Sequence, residues 1–229
     1  MFLRTLLVVV LVLSSKLFAG GAWYQKIPQI SKMKEVSFHP EFVILKWGVF
    51  SNLGQLTLSR EITNSNINSY CSLKPGRESI AWVTHHLSAK ESLSEAAGKT
   101  LGTQLAKSLS GSCFSSVELD IEPLNQAEVW LESFLKGVKS NLPSNTKLRL
   151  AIPVLSPQAV PGRFWTLRDG VKAISWVDGL DVMAYDSGVK SSKEYGDLFK
   201  NTFFFVMELL KQTPGKDIVV GLPAFNDKT

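Results

Sequence analysis

Short apolar, β-branched runs alternate with segments of helical periodicity along most of the chain. Strands that alternate with helices indicate parallel β-α-β units, and nearly continuous apolar strands indicate that both faces of the sheet are covered. Both an open doubly wound sheet and a closed barrel satisfy this pattern. The predicted strands are residues 43–50, 79–84, 117–121, 147–154, 179–185 and 218–222, and the predicted helices are residues 91–109, 126–138, 164–176 and 195–211.

The predicted strands alone do not decide between these two architectures. No Gly-rich loop follows the first strand, so a dinucleotide-binding version of the open sheet lacks support. Six strands are predicted, and an eight-stranded barrel needs two more. One is expected before Val43 or between Phe50 and Ser79, and the other would have to follow Thr229.

One predicted strand, Val117–Glu122, carries three acids at alternate positions. Side chains on a strand alternate between its faces, so Glu118, Asp120 and Glu122 share one face at a spacing of about 7 Å. Three anions so close in a dry site would leave at least one protonated near neutral pH, which is how a carboxylic acid becomes a general acid. The alternative is an amphipathic edge strand with its acids in water. The mid-chain position and the C-terminal placement of the acids favour a functional site.

The N-terminal segment has the order of a secretory signal peptide. A single positive charge at Arg4 precedes an apolar run over Leu6–Leu13, and the segment ends in small residues near Ala19. The run is shorter than the ~20 residues that a membrane-spanning helix needs, although an uncleaved anchor is the alternative. We therefore expect residues 1–19 to be a signal peptide and residues 20–229 to be one secreted or periplasmic domain, with no membrane association after cleavage.

The charge and histidine content exclude several kinds of partner. The formal net charge is +5, but the positive residues are scattered, so no nucleic-acid footprint is predicted. The histidines are His39, His85 and His86, which lack the tight clustering with acids that a metal site requires. His85 and His86 end a predicted strand, so one of them faces a cleft or both are ordinary strand-end residues. We expect no metal, no cofactor and a monomer.

Two cysteines, Cys71 and Cys113, precede the predicted strands at Ser79 and Val117. An exported protein meets oxidising conditions, which allows a disulfide, and two separate buried thiols are the alternative. If these two strands are parallel neighbours, both cysteines lie at the N-terminal end of the sheet. A disulfide is therefore expected there, opposite the end that carries the acids.

Three segments resemble the family 18 glycoside hydrolases, the chitinase-like barrels. Ser115–Glu122 resembles the fourth-strand motif Asp-x-x-Asp-x-Asp-x-Glu, and Met183–Asp186 is similar to the sixth-strand motif Met-x-Tyr-Asp. Val220–Phe225 resembles the seventh strand. The resemblance implies a (β/α)8 TIM barrel, which the chain up to Thr229 leaves without its eighth strand.

The resemblance also implies a function, hydrolysis of glycans that contain β-linked N-acetylglucosamine, such as chitin, peptidoglycan or N-glycan cores. In that family the acetamide of the substrate attacks, and the enzyme supplies no nucleophilic carboxylate. By position, Glu122 would be the general acid, Asp120 would orient the acetamide, and Tyr185 would donate a hydrogen bond to its oxygen. By the same resemblance, Met183 and Asp186 would line the floor of the sugar site, and Glu118 is the altered inner acid, also counted as substrate-binding. Trp47 and Trp82 are further substrate-binding candidates because they lie on predicted strands, where their rings could stack on a sugar. Core packing is the alternative for both tryptophans and also for Met183 and Tyr185.

Two positions depart from the fourth-strand motif. Ser115 stands where the family has its first Asp, and Glu118 stands where it has its second. The inner acids are therefore altered, while the two positions nearest the implied chemistry are kept. A carbohydrate-binding protein that has lost turnover is the alternative function.

Overall fold

The computed structural model describes residues 10–12, 21–24, 42–73, 78–88, 90–124, 127–153, 165–184 and 192–221. Its strands are β1 (Val10–Val12), β2 (Gly21–Tyr24), β3 (Phe42–Phe50), β4 (Leu56–Leu58), β5 (Glu78–His86), β6 (Ser116–Glu122), β7 (Lys147–Pro153), β8 (Gly179–Met183) and β9 (Asp217–Gly221). Its helices are α1 (Asn64–Leu73), α2 (Glu95–Leu109), α3 (Val129–Lys139), α4 (Leu167–Trp176) and α5 (Ser192–Gln212).

All of these strands belong to one sheet, in the order β1-β9-β8-β7-β6-β5-β3-β2, with β4 paired to β3. From β3 to β9 each neighbouring pair in this order is parallel. The order follows the chain without reversal, whereas a doubly wound sheet reverses at a switch point. The alternating α/β organisation is therefore confirmed, and the sequential order favours the barrel type over the open sheet.

The two ends of the sheet carry the strands that the periodicity did not resolve. β2 pairs in parallel with β3 and supplies the strand expected before Val43, while β4 forms an antiparallel hairpin with β3. β1 pairs antiparallel with β9 and lies within the predicted signal peptide, which stays a prediction. β1 also approaches β2, so the sheet curls toward closure. No ladder joins these two strands in the described part of the chain, and a complete eight-stranded barrel stays a prediction.

The main hydrophobic core lies between the helices and one face of the sheet. From β6, the fully buried Val117, Leu119 and Ile121 pack into this core together with Phe134 and Leu135 of α3. A second, smaller apolar cluster of Phe42, Ile44, Ile80 and Val219 lies on the opposite face, with Trp82 packed against it. Because side chains alternate along each strand, one face of the sheet packs apolar side chains against the helices. The opposite face, called the inner face below, carries both polar and apolar side chains.

Helices α2 and α3, which flank β6 in the sequence, pack backbone to backbone through glycines. A Cβ at Gly98 would lie 2.2 Å from the carbonyl oxygen of Phe134, and one at Gly137 would lie 2.4 Å from that of Glu95. Any larger residue would push the helices apart. α2 begins at Glu95 rather than at Glu91 as predicted, because the Ser94 hydroxyl accepts a hydrogen bond from the Ala97 amide and caps the helix.

A disulfide with an S–S distance of 2.09 Å joins Cys71 of α1 to Cys113, which precedes β6. It lies at the N-terminal end of the sheet, as the strand arrangement predicts. α1 itself was not predicted from the sequence. None of the helices within the described ranges is long and apolar enough to cross a membrane.

Candidate functional site

The inner face of β6 carries the acids in order of increasing exposure. Glu118 is 2% exposed and Asp120 is 7% exposed, whereas Glu122 at the strand end is exposed. The opposite face is occupied by buried apolar side chains, so the alternation predicted for this strand is the observed one. β6 lies between β5 and β7, which makes it an interior strand of the sheet and not an edge.

A cavity of about 270 Å³ opens at the C-terminal ends of β5 and β6. Its volume is close to the lower end of the range typical of ligand pockets, ~300 Å³. The strand register places Thr84 beside Asp120 and His86 beside Glu122, so polar side chains meet at this end of both strands. The lining residues are Trp82, Thr84, His85, His86, Asp120 and Glu122.

Asp120 is held by a single indole. Trp82 Nε1–H donates a hydrogen bond of 3.0 Å to Asp120 Oδ2. The other oxygen, Oδ1, is buried and accepts no hydrogen bond from the described residues. Burial raises the pKa of the Asp120 carboxyl above its usual range, and the Trp82 hydrogen bond and the Lys46 charge oppose this rise. A donor from a bound substrate would satisfy the second oxygen.

Lys46 of β3 supplies the cation of the site. Its ammonium donates a hydrogen bond to Thr84 Oγ1 and lies 4.3 Å from the centroid of the Trp82 ring. Burial lowers the pKa of Lys46, while the charges of Asp120, Glu122 and Glu118 oppose the decrease. The half-buried ammonium thus lies on the aromatic ring that also binds Asp120.

Deeper on the same face, the charged groups are paired directly. Arg149 of β7 donates to both carboxylate oxygens of Asp181 on β8, at 2.9 and 2.7 Å, and both residues are buried. Burial alone would lower the pKa of Arg149, but Asp181 together with Glu78 and Glu118 raises it above its ordinary value. Arg149 lies beside Glu118 in the β6–β7 register, so a fixed positive charge faces the innermost acid.

The predicted substrate-binding residues separate into different parts of the molecule. Trp47 is fully buried on the helix-facing side, where its Nε1–H donates to Ser108 at 3.1 Å, so it belongs to the core and not to the cavity. Trp82 lines the cavity, but Lys46 covers part of its ring. Glu118 is too deeply buried to contact a ligand directly.

The remaining predicted residues follow β8. Met183 is half-buried at the C-terminal end of β8, two strands away from β6, and is not among the residues that line the cavity. Tyr185 and Asp186 lie outside the described residues, so their implied roles stay predictions. Of the two strand-end histidines, His86 is exposed beside Glu122, whereas the His85 ring is bonded to the Phe50 carbonyl oxygen and to Glu91.

The same face of the sheet carries Lys46, Thr84 and the Arg149–Asp181 pair, which were not predicted from the sequence. A usable signal was present, because Lys46, Arg149 and Asp181 are isolated charges within strands that are otherwise apolar. Such a charge must find a partner on the sheet or a polar cavity, since an unpaired buried charge is costly. Thr84 carried no comparable signal, because threonine is a common strand residue.

Comparison with solved structures shows that the chain has the fold of chitinase-like enzymes. The Bacillus cereus spore cortex-lytic enzyme SleL covers 86% of this chain and matches it over 49% of its own length, with a TM-score of 0.64 and 16% identity. A Chromobacterium violaceum chitinase covers 85% of this chain over 64% of its own, with a TM-score of 0.57 and 14% identity.

A third structure, a Rhizomucor miehei chitinase, covers 80% of this chain over 64% of its own length, with a TM-score of 0.54 and 15% identity. This chain therefore spans less than two thirds of each of the three structures. No family model matches the chain, and no curated protein matches it. At these identities the likeness concerns the fold, and at that level the chitinase-like resemblance predicted from the sequence is confirmed.

Proposed function

We propose that this protein is an exported glycoside hydrolase that cleaves glycans containing β-linked N-acetylglucosamine, with Glu122 as its general acid. The observation that carries the proposal is the pair of inner-face acids at the C-terminal end of β6. Asp120 is buried and held by Trp82, whereas Glu122 is exposed where the cavity opens. Two neighbouring carboxyls in such different surroundings are suited to different roles in acid–base chemistry.

The two acids would divide the reaction between them. Glu122 gives its proton to the leaving glycosidic oxygen as the bond to the sugar carbon breaks. The oxygen of the substrate's acetamide then bonds to that carbon, and Asp120 accepts a hydrogen bond from the acetamide nitrogen. Water later opens the ring so formed and returns a proton to Glu122. The enclosed position of Asp120 and its hydrogen bond to Trp82 support an orienting role over a nucleophilic one.

Tyr185 is proposed as the donor to the acetamide oxygen, on the motif resemblance alone. Met183 and Asp186 would contribute to the floor of the sugar site on the same ground. Glu118 would act through its neighbours, because its burial beside Arg149 keeps it from the substrate.

A binding protein without turnover is the second candidate. The observation that favours it is the pair of departures from the motif, Ser115 and Glu118. Glu118 is one methylene longer than the Asp of the motif, and it lies beside Arg149, which is paired with Asp181. Its electrostatic influence on Asp120 therefore differs from that of the Asp in the motif. Under this hypothesis the same cavity would hold N-acetylglucosamine oligomers without cleaving them.

The test is hydrolysis of chitin oligomers and of peptidoglycan glycan strands by the wild type and by Glu122→Gln. We expect the substitution to reduce kcat by about 10²- to 10⁴-fold, the usual contribution of a general acid. Glu208→Gln is the matched control, because Glu208 is an exposed acid on α5 that is bonded to Lys211. Equal activity of wild type and Glu122→Gln would refute the role of Glu122, and oligomer binding without hydrolysis by the wild type would support the second candidate.

A further inference from the structure

Lys46 is a half-buried lysine of β3 whose charge acts on the acids of β6. Lys147 bonds to Asp217 at 2.9 Å, and Lys136 bonds to Glu132 at 2.6 Å. Within the part of the chain that the structure describes, Lys46 has no carboxylate within ion-pair distance, and its ammonium instead bonds to the Thr84 hydroxyl. A partly desolvated cation that contacts no carboxylate costs stability, so packing alone does not explain the position of Lys46.

The surroundings of Lys46 connect it to the acid pair through one aromatic ring. Its ammonium lies 4.3 Å from the centroid of the Trp82 ring, and the indole N–H of that ring donates to Asp120. Thr84, which holds the ammonium, is the β5 neighbour of Asp120 in the strand register. The cation is therefore fixed by two residues that both adjoin Asp120.

We propose that Lys46 is a positioning residue of the site, whose ammonium decides which of the two carboxyls, Asp120 or Glu122, carries the proton. This inference rests on the proposed function, in which Asp120 must be ionised while Glu122 is protonated. Burial opposes the ionisation of Asp120, and removing the charge of Lys46 would favour the protonated form of Asp120 further. Lys46 acts through charge alone and does not touch the leaving group.

The other charged groups near Asp120 do not replace Lys46. On β6 itself, the neighbouring titratable groups are the acids Glu118 and Glu122, which supply no positive charge. From β5, His86 lies beside Glu122, while the His85 ring is bonded to Phe50 and Glu91. From β7, Arg149 lies at the level of Glu118 and is bonded to Asp181.

The experiment follows the protonation of Asp120 directly, by ¹³C-carboxyl NMR titration of the wild type, Lys46→Gln and Lys46→Arg. The Asp120 resonance is identified by its loss in Asp120→Asn. We expect Lys46→Gln to raise the midpoint of Asp120 by about one pH unit, the lower end of what a close opposite charge contributes. Lys46→Arg keeps the charge and is expected to restore the midpoint, which a merely structural role of Lys46 would not require.

An unchanged Asp120 midpoint in folded Lys46→Gln would overturn the proposal. If Lys46→Gln does not fold, the Asp120 titration is repeated on Thr84→Val, which keeps the charge of Lys46 and removes only the hydroxyl that accepts its hydrogen bond. A smaller rise of the midpoint supports the proposal, and no rise overturns it. The titration needs no turnover, so a wild type that hydrolyses no glycan would refute the proposed function while leaving the role of Lys46 to be judged by the NMR result.

Discussion

Charged side chains at the two ends of the inner face of the sheet are stabilised in different ways. At the deeper end, Arg149 and Asp181 form a bidentate, buried pair. At the C-terminal end, Asp120 is held by an indole, and Lys46 is held by a hydroxyl and an aromatic face. At the deeper end, opposite charges form a direct ion pair. At the C-terminal end, the described charged groups lie near one another, but Asp120 and Lys46 are each bonded to an uncharged side chain. Groups that are not neutralised by contact remain able to exchange protons, which is the property expected of a chemical site.

The strongest test of this comparison is Arg149→Met, which breaks the deeper pair. It leaves Asp181 buried without its partner, and we expect a loss of 3–5 kcal/mol in the free energy of unfolding, on the order measured for broken buried pairs. Urea denaturation measures the loss. The double variant Arg149→Met with Asp181→Leu is the control and should be less destabilised than the single variant. If Arg149→Met has the same urea midpoint of unfolding as the wild type, the Arg149–Asp181 pair does not stabilise the fold.

A second prediction concerns the disulfide, which lies at the N-terminal end of the sheet, away from the C-terminal ends of the strands that carry Asp120 and Glu122. Replacing Cys71 and Cys113 by alanine releases a cross-link between residues 42 apart in the sequence. We expect a loss of about 3 kcal/mol in unfolding free energy, within the usual range for such a link. Because the link lies far from the acids, kcat should stay at the wild-type value in the folded variant. A decrease in kcat without a loss of stability would contradict the separation of the two ends.

At the C-terminal end, Trp82→Phe removes the hydrogen bond to Asp120 and keeps an aromatic ring under Lys46. We expect about 2 kcal/mol of destabilisation from the unsatisfied carboxylate, together with loss of activity because Asp120 is no longer oriented. Trp130→Phe is the matched control, since it loses an indole bond to the exposed Glu128. Denaturation and hydrolysis assays should show both effects in Trp82→Phe and neither of comparable size in the control.

The smallest expected effect is a gain of stability in Asp120→Asn. Burial raises the folded-state pKa of Asp120, so the wild type loses stability as the pH rises from the unfolded-state pKa through the folded-state pKa. Asparagine cannot ionise and retains an acceptor for Trp82. We expect its Tm at pH 7 to exceed that of the wild type by about a few degrees, and the difference to vanish below pH ~3.9. A lower Tm at pH 7 would show that the charge of Asp120 is stabilising.

Much of the fold was accessible from periodicity because buried parallel strands and amphipathic helices have distinct patterns. The strands β3 and β5 to β9 were predicted within a few residues. α1 was missed, since its sequence Asn-Ser-Asn-Ile-Asn-Ser-Tyr-Cys-Ser-Leu is rich in residues that favour caps and turns. Its place depends on tertiary contacts, namely the burial of Ile67 and Tyr70 and the disulfide at Cys71.

The site was only half accessible from the sequence. The shared face of Asp120 and Glu122 followed from strand alternation, which is a local property. The role of Trp82 and the proximity of Lys46 depend on the register between β3, β5 and β6, and no single-strand pattern encodes a register. For the same reason Trp47 was placed among the candidate sugar contacts, although its neighbour Lys46 is the one that faces the site.

The sequential strand order has a consequence for how the chain acquires its structure. From β6 onward, each strand pairs with the strand that precedes it in the chain, across one intervening helix. Most pairings therefore close loops of moderate length, and the sheet can grow one unit at a time from its N-terminal side. The pairing of β6 with β5 and β3 requires no later strand, so Lys46, Trp82 and Asp120 can meet on a partial sheet before β7 to β9 are added.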